Sequence, residues 1–184
     1  CQISLATNAV LQKVEKKIKN EISTYNELYL FGGGHVGKAI LKLASHLPLK
    51  VTVTDSRNEI IKSLEKEFKK YSKIMKFNTD VFPERIIATS NLHGAFLVMT
   101  HSHASDFNII EELLRHRSKA YIGMIGSKTK KLALKKYLIE KNFDEKTIEL
   151  VNCPIGRKTT FKSNKRPEVI AALVISDILE AFKY

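Results

Sequence analysis

The chain has 184 residues, 43% hydrophobic and 27% charged, a length and balance that suit one globular domain with its own core. Its longest apolar stretches, such as Ala95–Met99 and Ala171–Ile175, are too short to span a bilayer, and the first twenty residues lack a basic start followed by an apolar run, so neither a membrane span nor a secretory leader is expected. The formal charge of +12 comes from 31 basic residues of which only six are Arg, scattered along helical stretches, which favours solvated helix faces and attraction of anions over a nucleic-acid interface.

Residues 8 to about 22 carry helical spacing, with Val10, Val14, Ile18 and Ile22 on one face and lysines on the other. Residues 1–26 therefore read as an N-terminal helical extension to a domain over 27–184. Glu27–Phe31 is a β-prone run ending at three glycines, and Gly34–Leu47 follows as a helix that Pro48 stops. Lys50–Thr54 is a second strand closing on Asp55, and Asn58 is placed to cap a helix through about Lys70. Ser72–Phe77 reads as a third strand, followed by a polar loop containing Pro83. Ala95–Thr100 is a buried-type strand, with a helix from Ser105 to about Arg115.

Ala120–Met124 is another strand, and Ser127 is placed to cap a helix running to about Lys141. A connector holding Cys153-Pro154-Ile155-Gly156 leads into a very polar stretch from Arg157 to Arg166, and Pro167 opens a last helix through Phe182. Short apolar strands alternating with helices predict a Rossmann-like three-layer α/β domain with a mainly parallel sheet, and no internal repeat or second domain is visible. Cys1 and Cys153 form neither a disulfide framework nor a metal-ligand pair, which fits a reducing cytoplasm; a first residue of Cys rather than Met fits a fragment or processed chain.

Gly32-Gly33-Gly34-His35-Val36-Gly37 satisfies G-x-G-x-x-G between a strand and a helix, with Asp55 ending the next strand 21 residues beyond Gly34. The chemistry explains the spacing. Gly32 permits a tight turn, the missing side chain of Gly34 lets a diphosphate approach the backbone, and Gly37 lets the helix pack close. His35 and Val36 supply further amides at the helix start, where unpaired N–H groups favour an anion. Asp55 is placed to accept ribose hydroxyls and to repel a 2′-phosphate, so NAD is favoured over NADP if a nicotinamide dinucleotide binds. Arg57 stands where it would stack on a base or neutralise a phosphate.

Two further loops reach the same edge. Thr100-His101-Ser102-His103-Ala104-Ser105-Asp106 offers His101 or His103 as ligand contacts; a metal reading lacks a third strong ligand, so no metal site is expected. Asp106 would also favour the start of the next helix. Gly123-Met124-Ile125-Gly126-Ser127-Lys128 is a second glycine-bearing turn, either a second anion seat or an ordinary connection capped by serine.

FGGGHVGKAI, VTVTDSR, the FPE at Phe82–Glu84, MTHSHASD, AYIGMIGSK, and CPIG followed by Pro167-Glu-x-Ile-Ala together resemble the xanthine dehydrogenase accessory family (XdhC/CoxI), in its C-terminal Rossmann domain. The resemblance covers about residue 27 to the end. It implies a non-catalytic chaperone that binds molybdenum cofactor (molybdopterin), shields it while its terminal sulfur is installed, and delivers it to a molybdenum hydroxylase apo-enzyme. On that resemblance Gly32, Gly34, His35, Val36, Gly37, Gly123, Gly126 and Ser127 would cradle the phosphate or nucleotide end, with Asp55 and Arg57 beside them. Thr100, His101, His103 and Asp106 would line the same cleft. A sulfurtransferase and a second copy of the chain are the further partners it implies. Two departures stand out: the family's N-terminal domain is represented at most by Cys1 and its following helix, and a Gly- and acid-containing stretch is replaced by the basic Arg157–Lys162. An NAD-dependent oxidoreductase and an NAD-binding regulatory module share the glycine fingerprint and remain the alternatives.

Overall fold

The computed structural model describes residues 26–79, 82–91, 93–116, 120–156 and 165–183. The expected helix near the start and most of the basic stretch after Gly156 lie outside the described residues. Six strands pair in parallel in the order β3-β2-β1-β4-β5-β6: β1 (Asn26–Phe31), β2 (Leu49–Thr54), β3 (Met75–Asn78), β4 (Ala95–Val98), β5 (Tyr121–Met124) and β6 (Val151–Asn152). The chain runs outward from β1 to β3, then returns to lay β4 against the other side of β1. That reversal opens a crevice at the carboxyl ends of β1 and β4, where ligands of open α/β sheets sit.

Helices cover both faces, which is why β4 is buried at every position instead of alternating. Side chains of β1 divide the core in two. Leu28 and Leu30 join α1 (His35–Ala44), α2 (Asn58–Glu67) and α7 (Pro167–Ala181) on one face; Tyr29 and Phe31 join α4 (His103–His116) and α5 (Lys128–Glu140) on the other. Burial of α1 through Ala39, Ile40, Leu41 and Ala44 fixes the helix that begins at the glycine turn.

The structure shifts several boundaries. α1 ends at Ala44, and Ser45 to Leu47 unwind through short turns because Leu47 precedes a proline. Asn58 is the first residue of α2 rather than its cap, and the helix gives way to a 3₁₀ turn at Lys69–Tyr71. The expected loop around Pro83 contains a helix, α3 (Pro83–Thr89), with proline in its first turn. β3 starts at Met75, since Ile74 is still in a turn bonded to Tyr71. α4 begins at His103, so His103 and Asp106 are helical. Beyond α5 the chain forms α6 (Glu145–Glu149) and then β6. No helix among the described residues is long and apolar enough to cross a membrane.

Candidate functional site

The turn after β1 is held from below. Gly32 N–H donates to the Thr54 carbonyl at 2.8 Å, and its φ of +121° belongs to glycine. A Cβ there would stand 2.4 Å from the Met99 carbonyl oxygen, and one at Gly37 would stand 2.5 Å from that of Gly32, so neither position admits a side chain. Gly34 differs. Its φ is −64°, and among the described residues a Cβ would meet only one heavy atom within 4 Å, Arg57 Nη2 at 4.0 Å. Gly34 occupies the N-cap position of α1 without any side-chain cap, so the first amides of the helix open into that space.

Asp55 closes the turn from the side. Its Oδ2 accepts from Gly33 N–H at 2.8 Å and from Arg57 Nη2 at 2.7 Å; its Oδ1 accepts from Arg57 N–H at 3.0 Å and Arg57 Nε at 2.9 Å. Burial would raise the Asp55 carboxyl, but the hydrogen bonds from Arg57 and Gly33 outweigh it and bring the pKa down to about 2. Arg57 is raised by the same contact. Its side chain stays about one-third exposed while that of Asp55 is buried.

Beyond Gly32 and Asp55 lies a cavity of about 570 Å³, walled also by Thr54, Glu84, Thr100 and His101. Ser105, Asn108 and Glu112 of α4 add one polar helical stripe to it. At its far end stand Glu111, Tyr137 and Lys141. Tyr137 donates to Glu111 Oε2 at 2.6 Å, which with Arg115 and Lys141 holds that carboxyl below its usual range. Burial and the same carboxylate push the Tyr137 hydroxyl up to about 12. Thr54 Oγ1 is buried with no hydrogen-bond partner among the described residues. Strand alternation puts its side chain on the face of Phe31, and both line the cavity.

The remaining predicted residues divide. Thr100 and His101 reach this cavity, whereas His103, Gly126 and Ser127 line a second hollow with Ile125 and Lys130. His35 lies in a shallow groove with Lys38, Lys42 and the start of α7, and Val36 packs on the core. Asp106 is fully buried: it accepts from Thr100 N–H at 2.8 Å and forms an ion pair with Lys130, whose ammonium also donates to the Ile125 carbonyl. Its carboxylate thus ties the loop after β4 to α5. Ser127 caps α5, accepting from Lys130 N–H at 3.1 Å. Gly123 sits inside β5, where a Cβ would come within 2.8 Å of Ile155 Cδ1, away from either hollow. Among the described residues no group of three or more His, Cys, Asp or Glu stands close enough to hold a metal ion.

Thr54, Glu84 and the α4 stripe were not foreseen as site residues. The stripe's spacing was readable, since polar residues at i, i+3 and i+7 of the expected helix share one face, but the spacing alone does not tell a face turned to the cleft from one turned to solvent.

Residues 28–178 match the family described as the XdhC Rossmann domain. Among solved structures, a Bacillus halodurans protein titled a xanthine dehydrogenase is 22% identical with a TM-score of 0.65; the alignment covers 86% of this chain and 43% of that one. The chain thus spans less than half the length of that relative. A malate dehydrogenase of Plasmodium falciparum aligns at 14% identity with a TM-score of 0.46, covering 68% of this chain and 43% of the other. No curated protein sequence matches the chain.

Proposed function

The chain belongs to the XdhC Rossmann-domain family, and from that premise we propose that it binds molybdenum cofactor and assists its maturation and insertion into a molybdenum hydroxylase. The observation that carries this reading is the open space above Gly34, bounded by a guanidinium and by the first amides of α1. A phosphate suits that space, because it meets bare N–H donors, a helix start and a cation at once. The adjoining cavity then receives the pterin body, with Thr54 Oγ1 as a hydroxyl in need of a partner. Holding the cofactor calls for no bond making in this chain. Its task is to fix the phosphate, exclude water from the ring and release both to the apo-enzyme.

The partners of this role are a molybdenum hydroxylase of the xanthine dehydrogenase type, a sulfurtransferase that acts on the held cofactor, and a second copy of the chain, all in the cytoplasm. Equilibrium titration with molybdopterin tests the binding step. The wild type takes up the cofactor one to one, and Gly34→Asp loses it, because the new carboxylate occupies the seat and pairs with Arg57. Gly34 has a φ that any residue adopts, and aspartate is a favourable N-cap, so the variant keeps its fold. Equal affinity in the two proteins would overturn the reading.

A further inference from the structure

We propose that Arg57, held in place by Asp55, sets the specificity of the anion seat, and that the seat takes a phosphate monoester in preference to a ribose diol. This deepens the proposed function and rests on its placing of the ligand at the Gly34 turn. In the sequence, the acid that ends β2 reads as a diol acceptor that repels extra phosphate. In the structure its acceptor capacity is spent. Each carboxylate oxygen offers two lone pairs, and four donors fill them: Gly33 N–H, Arg57 N–H, Nε and Nη2. A diol would have to displace one of these. The Asp55–Arg57 pair also carries no net charge, so the repulsion that would exclude a phosphate is cancelled.

Arg57 spends one edge of its guanidinium, Nε with Nη2, on Asp55. Its other edge, Nη1 with the second Nη2 hydrogen, meets no acceptor among the described residues, and Nη2 borders the open space at Gly34. Such a fork matches two oxygens of a phosphate. A monoester has a third terminal oxygen left for the amides of α1, which a diester lacks. Thr54 points to a ligand independently. It is the last residue of β2, directly before Asp55, is 6% exposed, and keeps a hydroxyl without a partner among the described residues on the cavity wall. A desolvated hydroxyl without a partner is rare in native folds and costs stability until something bonds it. The ligand therefore carries its monoester at Arg57 and a hydrogen-bonding body that extends past Asp55 to Thr54.

The test titrates the protein with ribose 5-phosphate and with ribose, following the Gly33 and Gly34 amides and the Arg57 Nε–H by NMR. The phosphate ester binds at least about tenfold tighter than the sugar, and Arg57→Gln removes the difference. Asp55→Asn weakens phosphate binding although it deletes a negative charge, because it loosens the guanidinium. Competition then names the source: displacement by NADP and not NAD puts the monoester on a dinucleotide, displacement by molybdopterin puts it on the pterin, and either supports the assignment. Thr54→Val weakens whichever ligand displaces, while the melting temperature holds or rises. No response to ribose 5-phosphate, an equal response to ribose, or tighter phosphate binding in Asp55→Asn overturns it. If ribose 5-phosphate discriminates but molybdopterin does not bind, only the proposed function fails. If molybdopterin binds as well to Arg57→Gln, only this assignment fails.

Discussion

At Asp55 the same four hydrogen bonds that occupy the carboxylate also shape the stability of the fold. Its carboxyl titrates near 3.8 when unfolded and at about 2 when folded, so the folded state holds the proton less tightly. The resulting stabilisation is complete above about pH 5 and is lost as pH falls through 4 towards 2. A shift of nearly two units corresponds to roughly 2 kcal/mol. Urea unfolding of wild type and Asp55→Asn should therefore show a gap of that order at neutral pH, closing towards about pH 2. A gap that stays constant from pH 7 to 2 would mean the carboxylate is not held as described. The fingerprint made Asp55 legible as an acid beside the turn. It could not reveal the side-on grip of Arg57, because two residues of separation fix neither rotamer.

Between elements, the buried Asp106–Lys130 ion pair joins the start of α4 to the first turn of α5. Removing one partner strands the other charge, which typically costs about 3–5 kcal/mol, whereas replacing both with apolar residues of similar volume recovers much of it. Denaturant unfolding of Asp106→Val, Lys130→Met and Asp106→Val/Lys130→Met checks this: each single variant is strongly destabilised and the double variant less than their sum. Strict additivity would show that the two act separately. Elements with a full period were legible: α1, β2, β4, β5, α5 and α7 appear in the sequence because ten or more helical residues, or a compact apolar run, declare themselves. α3 has seven residues and β6 two, too few for either periodicity to show, so in the sequence both fall within connecting stretches. The Asp106–Lys130 pair was not legible in the sequence, because spacing along the chain cannot show that Asp106, 24 residues before Lys130, is buried against it.

Charge at the scale of the whole molecule works differently from charge at the seat. The chain carries +12, yet Asp55, Glu84, Glu111 and Glu112 line the cavity, so the positive field comes largely from lysines outside it. A field of this kind raises the rate of encounter with an anion and does little to its departure, because departure is governed by the short contacts. Those contacts sit within a few ångströms of the phosphate, whereas exposed lysines such as Lys66 and Lys69 of the α2 region act across solvent, where salt screens them beyond about 8 Å at physiological ionic strength. Stopped-flow capture of molybdopterin should therefore slow by roughly tenfold from low to physiological salt with a nearly constant release rate. Lys66→Glu/Lys69→Glu should slow capture at low salt only, since screening has already removed its effect at high salt. An association rate indifferent to salt would separate the lysine excess from ligand capture and leave the seat at Gly34 to act on local contacts alone.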